Sequence, residues 1–333
     1  MQNPEMPMPE FDAFAHLRQL ADSRGGFCQE LTNHVLAYLP GAGRRLVVTF
    51  DNLISAKTPG NRMPWGQDFL AAQGWDVLGV MVKQSDWFRQ DDLFDLLEEL
   101  RDAGFFAQFS AVTFYGASMG GYGAATFAGL APGCTVVAFA PQSSLNAEIA
   151  PFEKRYRYAR SHTDWTGRYA DAAEGLRAAG QAYILYDPME PTDSAHVARM
   201  TGPNVTLLPM RHSGHKLPPA LMRMNILKPV IIPAIEGKLT PAAFHQLHRA
   251  RRQSVPWLTG LLGNAEKRGH FGLGLRLADR LLAETPHAKL KAARRSLRDA
   301  KIAARRQAQR AARRASDQST AASPAPENAP LGG

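Results

Sequence analysis

The chain has 333 residues, of which 45% are hydrophobic and 21% charged, a globular composition that excludes wholesale disorder, collagen-like repeats and a disulfide-dense scaffold. Its two cysteines, Cys28 and Cys134, form no CxxC spacing, and its apolar runs fall well short of the roughly 20 residues that a membrane-spanning helix needs. The net charge of +9 is concentrated: residues 287–316 hold eleven Lys or Arg against the single acid Asp299, while the remainder holds 28 basic against 29 acidic residues. A nearly neutral body therefore carries a basic tail.

The N-terminal stretch MQNPEMPMPEFDAF has neither a basic start nor an apolar run, so it does not read as a secretory signal, and a cytoplasmic location is expected. Residues 1–39 are assigned to an N-terminal helical segment. From 40 to 235, short β-branched runs alternate with amphipathic stretches, which predicts a mostly parallel central sheet with helices on both faces, an α/β fold. The predicted strands are 46–50, 77–81, 111–115, 135–140, 182–186 and 205–208; the predicted helices are 92–102, 120–130, 169–179 and 193–200. Strand signals stop near residue 236. A helical region is expected over 236–286, with Thr240 and Pro241 starting one helix, then a basic helix over 287–316 and a disordered Ser, Ala, Pro and Gly rich tail over 317–333. Residues 268–286 look like half of a tetratricopeptide-type helix pair, but no recurring period supports a repeat array.

The sequence GASMG, residues 116–120, spells G-x-S-x-G directly after the strand AVTFY and before a small-residue helix. A serine on such a strand-to-helix turn is strained, and its neighbours two before and two after must be small. Ser118 is then the candidate nucleophile, with the backbone N–H of Met119 pointing where an oxyanion forms. Here the chain resembles the α/β-hydrolase superfamily, over roughly residues 40–235. After the strand AYILY comes Asp187 in DPMEP, similar to the segment carrying the family's triad acid, and after VTLLP comes His215 in HSGHKLP, similar to the family's Gly-His base. The resemblance implies a Ser118, Asp187, His215 triad. Glu190 and Asp193 compete with Asp187, although Asp193 also suits a helix cap, and His212 competes with His215. His212 and His215 also read H-x-x-H, but no third ligand stands at metal spacing, so no metal site is expected. Nucleotide motifs are absent, and no cofactor is expected. Where many family members carry His-Gly, this chain has FDNLIS; that departure leaves the second oxyanion donor open between the backbones of Asn52 and Leu53.

Between the sixth predicted strand and the acid, PFEKRYRYARSHTDWTGRY alternates arginines with aromatics, and Trp87, Phe88 and Arg89 form a similar cluster. Trp87, Arg89, Arg155 and Tyr156 are therefore candidate substrate contacts, which would suit a sugar-linked or anionic ester. Two functional readings follow. The first is a serine-dependent hydrolase, an esterase or acyl-transfer enzyme acting on a small-molecule ester, with a glycan-linked ester among the candidates. The second is an inactive hydrolase-like scaffold whose basic helix engages an anionic partner, a nucleic acid or membrane surface.

Overall fold

Apolar runs that cannot bury both faces alone are laid side by side as one eight-stranded sheet in the computed structural model, which describes residues 11–321. The strands are β1 (Phe27–Glu30), β2 (His34–Leu39), β3 (Arg45–Phe50), β4 (Asp76–Val82), β5 (Ala111–Ala117), β6 (Thr135–Phe139), β7 (Gln181–Tyr186) and β8 (Val205–Pro209). Their spatial order is β1-β2-β4-β3-β5-β6-β7-β8. β1 with β2 and β2 with β4 pair antiparallel, and every other neighbouring pair is parallel. All seven residues of β4 are buried, as a central strand covered on both faces requires.

The six strands expected from the sequence are present to within one or two residues. The N-terminal segment is a correction: only Ala15–Ser23 of it is an α-helix, and residues 27–39 form β1 and β2. The run HVLAYL is almost wholly buried, and its antiparallel pairing needs no crossover helix, so the alternation that betrays the other strands is missing there. The expected helix at 169–179 is also shorter, an α-turn Ala172–Gly175 followed by a 3₁₀ turn Leu176–Ala178.

Phe50 organises the centre of the core, with its ring 5.7 Å from Phe127 and 5.3 Å from Phe88. A Cβ at Gly123 would meet the Phe50 ring at 2.6 Å, so the helix Met119–Thr126 packs onto the sheet through a bare backbone.

The chain divides into two compact units, Met1–Arg252 and Gln253–Gly333. The boundary falls later than the expected 235/236, because the helix Pro241–Leu247, capped by Thr240, buries Phe244 within the first unit. In the second unit the helices Val255–Lys267, Phe271–Glu284 and Ala288–Ala321 enclose a small core of Leu258, Leu262, Ala278, Leu290 and Leu297. The basic segment is one helix of 34 residues, about 51 Å long at 1.5 Å per residue. It takes in residues 317–321 of the expected tail; the remainder of that tail, from residue 322, lies outside the described residues, as does the chain before residue 11. Among the described residues no helix is long and apolar enough to cross a membrane.

Candidate active site

β5 runs into a turn at Ser118 and then into the helix Met119–Thr126. Ser118 sits at φ 56° and ψ −115°, a conformation that costs a non-glycine residue about 1–3 kcal/mol and persists only where its surroundings enforce it. A Cβ at Gly116 would lie 2.1 Å from the Gly120 carbonyl oxygen, and one at Gly120 would lie 2.4 Å from that of Phe50. The turn closes because both positions are bare. The Ser118 N–H donates to the Phe139 carbonyl at 2.8 Å, tying the turn to β6. Met119 occupies the first helical position, where a backbone N–H has no intrahelical acceptor.

The imidazole of His215, on the loop after β8, meets this hydroxyl, with Nε2 2.9 Å from Ser118 Oγ. Its other nitrogen, Nδ1, lies 2.7 Å from Oδ2 of Asp193. Asp193 is fully buried in the first turn of the helix Pro191–Arg199. Burial alone would raise its proton affinity, but the His215 hydrogen bond and charge, with Arg155 beside it, hold its carboxyl below the ordinary range. An ionised carboxylate only accepts, so Nδ1–H of His215 donates to it and Nε2 keeps its lone pair for the Ser118 proton.

Asp187, the acid expected from the sequence, is not the carboxylate hydrogen-bonded to the His215 ring. Its Oδ1 accepts the N–H groups of Met189 and His212 at 2.9 and 3.1 Å, and its Oδ2 accepts that of Gly214 at 2.7 Å. It shapes the histidine loop, with three backbone donors occupying its oxygens. Pro191 starts a helix immediately afterwards, and its first turn carries Asp193 to the imidazole. Asp193 caps nothing; the N-cap position belongs to Glu190, whose side chain makes no capping bond. His212 contributes its N–H to Asp187, and of these two histidines it is His215 that faces Ser118.

The FDNLIS departure has a structural content. Asp51 is buried and paired with Arg62, and it also accepts the Val82 N–H at 3.0 Å. Burial raises the proton affinity of Asp51 against the opposing pull of Arg62. The pair clamps the end of β3 to the end of β4, next to the start of the helix Met119–Thr126. The Asn52 N–H donates to Ser55 Oγ at 3.1 Å, so Asn52 is already committed and Leu53 is the candidate that remains.

The four candidate substrate contacts separate. Arg89 is buried and donates to the carbonyls of Asp164, Thr166 and Arg168, with its guanidinium against the rings of Phe94 and Trp165; each of its three nitrogens is engaged within the chain. Arg155 is likewise engaged, with Nη1 2.7 Å from Asp193 Oδ1 and Nη2 2.7 Å from Glu153 Oε2. Trp87 is buried with its ring 4.8 Å from that of Tyr156, so it supports Tyr156 from behind. The Tyr156 hydroxyl faces Ser118, and burial raises its proton affinity. Sequence reasoning missed Gln142, which is fully buried after β6: Trp87 Nε1 donates to its Oε1 at 3.1 Å, and its Nε2 lies 3.4 Å from Ser118 Oγ. Its one signal is position, three residues past a parallel strand that ends beside Ser118.

No protein-family model matches the sequence, and no curated protein matches it. Among solved structures, the chain is similar to the capsule O-acetyltransferase of Neisseria meningitidis serogroup A, at 13% identity over 64% of this chain and 98% of that one, with a TM-score of 0.42. It is similar to fluorophosphonate-binding serine hydrolase F of Staphylococcus aureus, at 13% identity over 60% and 94%, TM-score 0.40. It is also similar to carboxyl esterase 2 of the fungus Tuber melanosporum, at 12% identity over 69% and 86%, TM-score 0.40.

Proposed function

From the α/β-hydrolase fold that the chain adopts, we propose that it is a serine-dependent esterase or acyl-transfer enzyme with Ser118 as nucleophile, His215 as general base and Asp193 as the acid that orients it. The observation carrying this reading is the continuous Ser118, His215, Asp193 hydrogen-bond chain of 2.9 and 2.7 Å on a strained turn. Ser118 Oγ attacks the ester carbonyl as its proton passes to His215 Nε2, and Asp193 stabilises the imidazolium that results. The oxyanion receives the Met119 N–H and that of Leu53. His215 then protonates the departing alkoxide, and water or an acceptor alcohol reverses the sequence to free the acyl group.

The arginines that suggested an anionic substrate give it little support. Arg89 and Arg155 are committed as described, and Arg168 pairs with Asp91, Asp95 and Glu98. A neutral ester beside the Tyr156 ring suits the site better. Folded protein is therefore expected to hydrolyse p-nitrophenyl acetate and neutral acylated sugars faster than esters of dicarboxylic acids, measured as kcat/KM. Preference for the anionic esters would contradict the assignment of the arginines, and absence of any turnover would favour the second reading.

That second reading, an anionic partner bound through the C-terminal unit, is favoured by one observation: Lys301, Arg305, Arg306 and Arg310 all stand exposed on the long helix, beyond its last core contact at Leu297. Charge reversal of Arg305, Arg306 and Arg310 to Glu in the full chain is expected to abolish low-salt association with a DNA duplex and with anionic vesicles while leaving thermal unfolding of the chain unchanged. Equal association by the wild type and the reversed chain would remove this reading.

A further inference from the structure

Consecutive residues on one strap of chain, 153–156, touch both ends of the proposed triad. Tyr156 faces Ser118, Arg155 bridges Glu153 to Asp193, and Glu153 is itself fully buried. The anchor of that strap is His196, whose Nε2 lies 3.0 Å from Glu153 Oε2. Ser143, His196 and Glu153 superficially repeat a serine, histidine and acid. The polarity is wrong for a nucleophile, however: the Ser143 backbone N–H donates to His196 Nδ1 at 3.0 Å, and Arg199 donates to Ser143 Oγ at 2.7 Å. With Nδ1 accepting, neutral His196 donates through Nε2–H to Glu153. Both Asp193 and His196 stand on the helix Pro191–Arg199, three residues apart and so on one face. The strap is therefore locked to the same helix that carries the triad acid.

We propose that Arg155 is a positioning residue of the site: held by the Glu153 and His196 pair, its guanidinium fixes the Asp193 carboxylate against His215 and so sets the pH at which Ser118 becomes reactive. This rests on the triad reading above. The groups facing Asp193 are His215 from the loop after β8, Arg155 and Tyr156 from the strap, and His196 from its own helix, with Glu153 paired to Arg155 and His196. Among them Arg155 supplies the fixed positive charge and Glu153 the compensating negative one; Glu153 is held down to about 2, its burial outweighed by hydrogen bonds from His196 and Arg155. Removing the positive charge favours the imidazolium, and removing the negative one disfavours it. The two substitutions therefore have opposite signs.

The test is the rate of covalent labelling by a fluorophosphonate across pH 5 to 9 in the full chain. Arg155→Met is expected to move the acid limb of that rate to higher pH by about one pH unit, and Glu153→Gln to move it to lower pH by a similar amount. Arg155→Lys, which keeps the charge, returns the limb to the wild-type position. A loss of stability alone would reduce the labelled fraction without moving the limb. Limbs that coincide with the wild type, or that move the same way in Arg155→Met and Glu153→Gln, overturn the positioning role while leaving the triad standing. If Arg155→Met does not fold, the sign of the Glu153→Gln shift decides alone. Folded wild type that takes no label overturns the triad and this role together.

Discussion

Replacing Ser118 by alanine is expected to lower ester turnover by about 10⁶-fold and Asp193 by asparagine by about 10⁴-fold, magnitudes set by serine proteases that use such a triad as a unit. The asparagine amide can donate to His215 Nδ1, which places the ring proton on Nε2 and leaves no lone pair for Ser118. Asp187→Asn behaves differently. Three backbone N–H groups converge on Asp187, and an amide can accept on one oxygen only, so a donor in the histidine loop loses its partner at a cost of about 1–3 kcal/mol in stability. Turnover by the molecules that remain folded falls less than about 10-fold, because His215 keeps its contact with Asp193. Measured kcat/KM on a p-nitrophenyl ester, with urea unfolding beside it, separates the two residues. An inactive Asp187→Asn together with an active Asp193→Asn would return the acid role to Asp187.

Gly116→Ala and Gly120→Ala are expected each to destabilise the protein by more than about 4 kcal/mol, or to prevent folding. The obstacle in each case is backbone, at 2.1 Å from the Gly120 carbonyl oxygen and 2.4 Å from the Phe50 carbonyl oxygen. Neither atom can yield as a side chain would, because moving one opens the turn and moving the other displaces β3 from the helix Met119–Thr126. Gly129 provides the control. A Cβ there meets nothing within 4 Å, and Gly129→Ala should alter stability by no more than about 1 kcal/mol. Thermal unfolding of the three variants checks the contrast; a Gly116→Ala protein with wild-type melting would mean that the strained turn at Ser118 is not held by backbone contact.

Parallel strands proved legible in the sequence because each is a buried β-branched run bounded by a helix-forming stretch, and the bare glycines around Ser118 marked where one strand had to turn sharply. β1 and β2 escaped that reading because an antiparallel start lacks the helical spacer. Asp187 and Asp193 are six residues apart in a segment where a proline starts a helix; which carboxylate reaches His215 depends on the loop's three N–H donors, a tertiary fact with no local trace. The arginines misled for a related reason. Arg89, Arg155 and Arg168 look like ligand contacts in a row of aromatics, yet each pairs with carbonyls or carboxylates brought from distant positions such as Asp91, Glu98 and Asp193. Gln142 carries no motif at all, and only its position beyond β6 places it beside Ser118.

The most direct measurement is intact-mass analysis of the wild type, Ser118→Ala and His215→Ala after exposure to a fluorophosphonate, followed by peptide mapping. A single adduct on the Ser118 peptide of the wild type, absent from both variants, is the result expected of a serine activated by His215. Folded wild type without an adduct, or an adduct that survives Ser118→Ala, would contradict it.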